Sequence, residues 1–337
     1  MSPKNLEELA RALRVSRRTV SRVLAQSPNV AAKERARIEK YLARVKYVPN
    51  MAAAHLAAGR TNVLGLVLPT SISQSIDDYV LRLIKGVFLT AEARRHRLMF
   101  FSFTPLVEDD LRALFRSRTV GGLLFAFVGE PEFQILRALR REGCPVALLN
   151  TVADDLDSFD CDNETGGHMA TRHLIETGRR RIAFVHGDPG WFSSSERFRG
   201  YRRALQSARI PFDPSLVFRG LFDMNKAETL TPTLLKARPD AVFAANDLMA
   251  LGLATGFRRA GVRIPKDIAL IGFDDIPTVG LPVLETPISS VHQPVQAIAA
   301  AAANRLMDLM AVKSLPKPVH KLFAPELRVR ASSVRNP

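Results

Sequence analysis

The chain has 337 residues, which fits two or three domains better than one small domain. Its hydrophobic share of 47% is typical of a globular protein, and no apolar run approaches the length of a membrane-spanning helix. The N-terminus is charged and lacks an apolar signal region, so we expect a cytoplasmic protein. The two cysteines, Cys144 and Cys161, lack metal-ligand spacing; we expect buried thiols, although the sequence leaves a disulfide open.

The net charge of +15 is concentrated at one end of the chain. Residues 1–60 contain thirteen Lys or Arg against four Asp or Glu, a net charge of +9. A generally basic composition explains the remaining +6, but it does not explain this concentration. A compact basic module predicts binding to a polyanion such as DNA.

The basic segment predicts three short helices. Asn5 and Ser16 are candidate caps of the first two helices, and a third is expected from about Ala32 to Val45. The first two, joined by a short turn, have the length of a helix-turn-helix motif. On the second helix Val20 and Val23 are predicted to face inward.

The polar face of the second helix carries side chains suited to DNA. Its three arginines are expected to face outward, where arginine pairs bidentately with guanine, and its small hydroxyl residues are the right size to contact phosphates. These residues are Arg17, Arg18 and Arg22 for the bases, and Thr19 and Ser21 for the phosphates.

Val48-Pro49-Asn50 marks a domain boundary because proline favours an extended residue before it. The alanine-rich segment from Met51 to Ala58 is too short to form a stable helix alone in water. From Thr61 onward, about ten strand-like apolar runs alternate with amphipathic helices. This alternation predicts two parallel sheets covered by helices, with a ligand cleft beyond the carboxyl ends of the strands.

Residues 15–24 read V-S-R-R-T-V-S-R-V-L and closely resemble the signature of the lactose-repressor family. Val30, Arg35, Tyr47, Pro49-Asn50 and Leu56 also fall at positions typical of the family, and the resemblance covers nearly the whole chain. It implies an α/β protein with a three-helix headpiece at 1–47 and a hinge at 48–60. A two-lobed domain like the periplasmic binding proteins would follow, with one lobe at 61–160 plus 291–322 and the other at 161–290 plus 323–332.

The resemblance implies a homodimer on a near-palindromic double-stranded operator, with a hinge that folds into a helix on DNA. Leu56 matches the leucine that wedges into the minor groove, and Arg35, Asn50, Ala53 and His55 match other DNA-contacting positions. Two positions depart from the family. Arg14 replaces the usual turn glycine, and Ala31 replaces a serine that would cap the third helix.

The resemblance also implies which residues contact a small ligand. Arg197, Asn246 and Asp274 match polar contact positions at strand ends, and Phe222 matches a stacking aromatic. Asp247 is expected to cap a helix and Arg199 to lie on the surface. Tyr79, Ser71 and Ser73 are weaker candidates from the other lobe. The sequence leaves open whether Trp191 and Phe192 contact the ligand.

These residues suit a neutral polyol, so we expect a repressor of carbohydrate genes that a sugar inducer releases from DNA. A regulator that needs a purine-type co-repressor, and a stand-alone sugar-binding protein, are the alternatives. An enzyme is not expected: Asp274 and Asp275 are adjacent on a strand and point opposite ways, and no nucleophile elbow, phosphate loop or zinc spacing is found. We expect no cofactor, no metal and no membrane association. We also expect a dimer, because the sequence ends just after the last predicted strand.

Overall fold

The computed structural model describes residues 6–24, 29–45, 47, 61–70, 77–103, 108–188, 190–280 and 285–334. The chain divides into two units, residues 1–61 and residues 62–337. Within the described residues, no helix is both long and apolar enough to cross a membrane.

The first unit contains the three predicted helices: α1 (Leu6–Leu13), α2 (Arg17–Leu24) and α3 (Ala32–Arg44). Their apolar faces form one small core, in which Leu9, Val20 and Ile38 are fully buried. The predicted cap of α2 is confirmed, because the Thr19 N–H donates to Oγ of Ser16 at 3.0 Å.

Both departures from the family pattern have the predicted structural effect. Arg14 lies between α1 and α2 with φ at +54°, a left-handed conformation that favours glycine. Ala31 stands at the N-cap of α3 and provides no side-chain hydrogen bond. The first unit therefore has a residue with a β-carbon at a left-handed position in its turn, and no side-chain cap on α3.

The second unit alternates strands and helices, as predicted. Its strands are β1 (Val63–Pro69), β2 (Arg97–Phe103), β3 (Gly122–Ala126), β4 (Val146–Leu149), β5 (Asp157–Cys161), β6 (Ile182–His186), β7 (Val217–Arg219), β8 (Ala241–Ala244), β9 (Ala269–Asp274), β10 (Ser289–His292), β11 (His320–Phe323) and β12 (Glu326–Arg328). Its α-helices are α4 (Asp78–Ala93), α5 (Glu108–Arg116), α6 (Glu130–Arg141), α7 (Asn163–Glu176), α8 (Phe192–Ser207), α9 (Met224–Lys236), α10 (Asp247–Arg259) and α11 (Val295–Ala311).

The strands form two six-stranded sheets. The first sheet has the order β11-β5-β4-β3-β1-β2, and the second has the order β12-β10-β9-β8-β6-β7. All neighbouring strands are parallel except β10 and β12. We call each sheet with the helices packed on it a lobe. The chain passes between the lobes three times, after β5, after β10 and after β11.

The sequence analysis did not predict strands β5, β10 and β11 or helix α11. Strand β5 reads D-S-F-D-C, yet Asp157 and Asp160 on it are fully buried. Because its sequence is polar, it lacks the apolar pattern that predicts a buried strand. Helix α11 is alanine-rich and packs on α4 and the first sheet, so apolar residues surround much of its circumference and weaken the helical period. Cys144 and Cys161 are separate buried thiols, as expected.

Candidate functional site

Helix α2 presents its arginines unequally. Arg17 and Arg18 are exposed, whereas Arg22, Thr19 and Ser21 are half-buried. The guanidinium of Arg17 lies 3.9 Å from the carboxylate of Glu7, a surface pair that phosphate could displace. The Thr19 hydroxyl shares a hydrogen bond of 2.8 Å with the Ser16 hydroxyl.

Of the other predicted DNA-contacting residues, the structure describes Arg35 alone. Arg35 is half-buried in the first turn of α3. Asn50, Ala53, His55 and Leu56 lie outside the described residues.

A cavity of about 330 Å³ lies between the lobes, beyond the carboxyl ends of the strands. Five of the seven predicted ligand residues line it: Tyr79, Arg197, Phe222, Asn246 and Asp274. The other two, Ser71 and Ser73, lie outside the described residues. Residues that are far apart in the sequence thus meet in the cleft that the strand order predicts.

Arg197 projects from α8 into this cavity and is only 4% exposed. Its Nε donates to Oδ1 of Asn163 at 2.9 Å, and its Nη1 donates to the carbonyl of Ala245 at 2.5 Å. Nη1 also lies 3.4 Å from Oδ1 of Asp274, and the guanidinium sits 3.8 Å from the centre of the Phe273 ring. These contacts hold the guanidinium in one orientation, so a ligand meets a fixed donor.

Asp274 ends β9 and faces Arg197 across the floor of the cavity. Its Oδ1 accepts a hydrogen bond of 2.7 Å from Nε2 of Gln293. Burial raises the pKa of Asp274 to about 7, although the charge of Arg197 acts in the opposite direction. Its backbone has φ at +105°, an unusual conformation for a residue with a side chain.

The predicted role of Asp247 as a helix cap is wrong. Asn246 caps α10, because its Oδ1 accepts from the Met249 N–H at 3.0 Å. The buried carboxylate of Asp247 instead accepts from the Ser290 hydroxyl at 2.7 Å and from the Ile276 N–H at 2.9 Å. Asp247 therefore ties α10 to the segments around β9 and β10, while Asn246 both caps the helix and lines the cavity.

Four aromatic rings form a continuous row along the cavity, which we call the aromatic row. The ring centres of Phe222 and Trp191 are 5.4 Å apart, and those of Trp191 and Phe127 are 5.5 Å apart. Phe127 lies 6.2 Å from Tyr79, whose hydroxyl accepts a hydrogen bond from Asn150. The row crosses from one lobe to the other and includes Trp191, whereas Phe192 is the first residue of α8 and is not among the lining residues.

Several lining residues were not predicted from the sequence, although their position directly after a strand could have identified them. Phe127 follows β3 directly and Asn150 follows β4 directly, the same position relative to a strand that identified Asn246 and Asp274. Five lining residues have left-handed backbone conformations: Phe127, Asn150, Leu221, Phe222 and Asp274. Such conformations accumulate at functional sites, where a strand must turn abruptly to present a side chain.

The geometry agrees with the prediction that Asp274 and Asp275 do not form an acid–base pair. Asp274 faces the cavity, whereas the carboxylate of Asp275 accepts from Arg330 at 2.6 Å and lies 3.1 Å from Nδ1 of His292. The two carboxylates therefore belong to different sets of contacts.

Comparisons with known proteins agree with this architecture. Residues 5–50 match the model of bacterial regulatory proteins of the lacI family, and residues 171–333 match a periplasmic binding protein-like domain. The HTH-type transcriptional regulator CelR of Thermobifida fusca is 31% identical over 335 residues, which cover 97% of each chain. The HTH-type transcriptional repressor PurR of Vibrio atlanticus is 28% identical over 334 residues, covering 97% of this chain and 98% of that protein.

A solved complex of CelR with cellobiose has the same fold, with a TM-score of 0.74 and 29% identity over 98% of this chain and 100% of that one. The two units and the cleft thus define a ligand-responsive, DNA-binding transcriptional regulator. The chain belongs to the lacI family of bacterial regulatory proteins.

Proposed function

We propose that the protein represses carbohydrate-utilisation genes in the cytoplasm and that a sugar bound in the cavity releases it from its operator. The observation that carries this proposal is the convergence of Arg197, Asp274 and the aromatic row in one cavity between two lobes. A fixed guanidinium and a buried carboxylate suit vicinal hydroxyls, and aromatic faces cover the apolar face of a sugar ring. The relative in complex with cellobiose supports the same class of ligand.

Operator binding is assigned to the first unit. In this proposal α2 lies in the major groove, where Arg17, Arg18 and Arg22 reach base edges and Thr19 and Ser21 contact the backbone. Arg35 adds a backbone contact from α3. Residues 48–60 serve as the hinge, in which Asn50, Ala53, His55 and Leu56 reach the minor groove.

Release follows from the way the lobes are joined. We place the lobe boundaries within two residues of those predicted, because Cys161 lies on β5 of the first sheet, Val291 and His292 lie on β10 of the second, and Phe323 lies on β11 of the first. Two of the crossing segments are in direct contact, because the Asp162 N–H donates to the carbonyl of Phe323 at 2.9 Å. A ligand that touches both lobes favours their closed arrangement, so its binding is coupled to operator binding by one coupling free energy. In this proposal the two oppose each other, whereas the second candidate below has them support each other.

A homodimer is supported by an exposed apolar surface on the first lobe. Leu81, Phe88 and Leu89 of α4 and Met99 and Phe100 of β2 are between 38% and 53% exposed. Strand β2 is an edge strand, and contiguous apolar groups at a sheet edge are typical of an interface. We expect a dimer in sedimentation, and Phe100→Asp should shift it toward the monomer.

The second candidate is a regulator that binds DNA only with its ligand present. The similarity to the repressor PurR favours it. The aromatic row would stack a planar base as readily as a sugar ring. The two candidates differ in the sign of the coupling and in the class of ligand.

The experiment incubates the full chain with sheared DNA from its own genome, sequences the bound fragments, and repeats the recovery with individual sugars. We expect a shared near-palindrome next to carbohydrate genes, lost when one of the sugars is added. The double variant Arg17→Ala, Arg18→Ala is the control and should recover no enriched fragment. No enrichment for the unaltered chain, with or without ligands, would contradict the proposal, and enrichment only with a ligand would establish the second candidate.

A further inference from the structure

The charged residues that line the cavity are unbalanced. Asp77, Asp188, Asp223 and Asp274 supply four carboxylates, against the single guanidinium of Arg197. Residues 71–76 and 189, which adjoin the lining segments in the sequence, contain no Lys, Arg or His. A ligand that enters this cavity therefore meets an excess of negative charge.

Two of these carboxylates come from opposite lobes. Asp77 precedes α4 in the first lobe, and Asp274 ends β9 in the second. Helix α4 touches the end of β9 directly, because Nη1 of Arg82 donates to the carbonyl of Asp275 at 3.0 Å. The negative charge of Asp77 is among the causes that raise the pKa of Asp274, and burial raises the pKa of Asp77 as well. Holding these two carboxyl groups together costs free energy unless one of them is protonated or a positive charge joins them.

The positive groups nearest to this pair are already engaged. Arg197 is held by Asn163, Ala245 and Asp274. Arg82 donates to backbone carbonyls, and its charge lowers the pKa of Asp274. Among the described residues, donors reach only Oδ1 of Asp274, from Gln293 and Arg197. Its Oδ2 has no such donor, and the side chain, which lines the cavity, is 10% exposed.

Helix N-termini at the cavity could offset the negative charge, since each has a partial positive charge. Asp77 occupies the N-terminus of α4, because it accepts from the Val80 N–H at 2.9 Å. Asp223 occupies the N-terminus of α9 in the same way, because its carboxylate accepts from the backbone N–H of Lys226 at 2.6 Å. Two helices near the cavity begin without a side-chain cap: α8 at Trp191, three residues after Asp188, and α6 at Gly129, two residues after the lining residue Phe127. An anionic ligand would have to rely on these two helix ends and on Arg197.

We propose that the effector is an amino sugar, whose ammonium group lies between Asp77 of the first lobe and Asp274 of the second. This inference rests on the proposed function and specifies its ligand. The ammonium donates to Oδ2 of Asp274 and to the carboxylate of Asp77, so the ligand itself joins the lobes. Its hydroxyls face Arg197 and Asn246, and its ring lies against the aromatic row. Phosphorylated sugars and uronic acids are disfavoured, because their charge would be buried among carboxylates.

Trp191 is the sole tryptophan of the chain and lies in the aromatic row, so its fluorescence reports directly on the cavity. The experiment titrates the full chain near neutral pH with glucose, galactose and mannose, with the amino and N-acetylamino form of each, and with glucuronate and glucose 6-phosphate. Thermal unfolding of the same mixtures gives a second readout. We expect at least one amino sugar to bind about tenfold more tightly than both its parent hexose and its N-acetylated form.

Two variants connect this preference to the carboxylate pair. Asp77→Asn keeps a good helix cap but removes the charge, so the amino sugar should lose its advantage while the parent hexose binds as before. Asp110→Asn is the matched control, because Asp110 is an exposed carboxylate in the first turn of α5 outside the cavity. It should leave every affinity unchanged.

The proposal is overturned if a parent hexose, uronic acid or sugar phosphate binds as tightly as every amino sugar. It is also overturned if Asp77→Asn keeps the preference, or if no compound of the panel changes either readout. These outcomes leave operator recovery, and with it the proposed function, intact. Failure of operator recovery would contradict the proposed function whatever the cavity binds.

Discussion

The two units of the protein use arginine in opposite ways. The side chain of Arg17 on α2 is 63% exposed, with one weak surface pair, whereas that of Arg197 is 4% exposed and has polar or ring contacts to five residues. An exposed arginine is available to a large polyanion and acts through charge that salt screens. A buried arginine is available only to a ligand that fits its fixed orientation. Removing an exposed arginine of α2 should therefore weaken operator binding, whereas removing Arg197 should weaken the response to the ligand.

The largest effect is expected at Arg197. The change Arg197→Ala leaves the buried carboxylate of Asp274 without its cation, so the free energy of unfolding should fall by about 3–5 kcal/mol. Release of operator by the effector should be lost. Arg199→Ala, an exposed arginine on the same helix, is the control and should change neither. Chemical unfolding and operator release measure the two effects, and a variant Arg197→Ala that still responds to the effector would refute the role given to this guanidinium.

The exposed arginines should show the reverse pattern. Arg17→Ala and Arg18→Ala should each weaken operator binding by about 1–3 kcal/mol, while leaving unfolding and effector binding unchanged. Fluorescence anisotropy of labelled operator at several salt concentrations measures the loss. Arg172→Ala, a surface arginine of the second unit, serves as the matched control. Equal losses for the control and for the α2 variants would mean that general positive charge, not α2, binds the operator.

The pH dependence of stability distinguishes buried from exposed charge further. Burial raises the pKa of Asp160 from 3.8 to about 7, against the opposing effects of the Cys161 N–H and of Arg197. The folded protein then holds a proton that the unfolded chain releases, so the stability contributed by Asp160 is greatest at low pH. It falls by about 1.4 kcal/mol per pH unit between roughly pH 4 and pH 7 and is constant above that.

Urea unfolding of the unaltered chain and of Asp160→Asn, between about pH 5 and about pH 8, tests this slope. The stability of the unaltered chain relative to the variant should fall with rising pH and then level off near pH 7. Asp274 titrates in both proteins, so its effect largely cancels. A difference that is independent of pH would show that Asp160 keeps its ordinary pKa.

The smallest effect is expected in the turn of the first unit. Arg14→Gly removes the cost of a β-carbon at φ +54° and should stabilise the helix-turn-helix by about 1 kcal/mol. Arg14→Ala keeps that cost and should not stabilise. Amide exchange of α1 and α2 in the full chain compares the two variants, and equal protection in both would show that the turn carries no strain.

The same comparison explains what sequence could and could not predict. The helices of the first unit and the arginines on α2 follow from local patterns, because caps and apolar spacing act within a few residues. Asp274 was also identified from its strand end and the family resemblance, and Arg197 from the family resemblance, although it lies on helix α8 rather than at a strand end. Their partners Asn163, Phe273 and Gln293 were not identified, because these contacts join residues that are far apart in the chain, by 34, 76 and 19 positions respectively.

The missed elements have a related cause. Strand β5 is polar in part because Asp157 pairs with distant segments, with Arg140 at 3.0 Å and Arg305 at 2.6 Å. Asp160 instead accepts from the neighbouring Cys161 N–H and from the Asn163 side chain. A pattern of hydrophobicity cannot reveal a strand whose carboxylates are neutralised only in the folded protein. The excess of carboxylates in the cavity was hidden for the same reason, since Asp77, Asp188 and Asp223 meet only through the fold.

Coupling between the cavity and the operator is measured from both affinities. Operator affinity is measured with and without saturating effector, and effector affinity, from Trp191 fluorescence, with and without saturating operator. Both affinities should change by the same factor, because the coupling free energy is shared. An operator affinity that stays constant when the cavity is saturated would show that the two sites are not coupled.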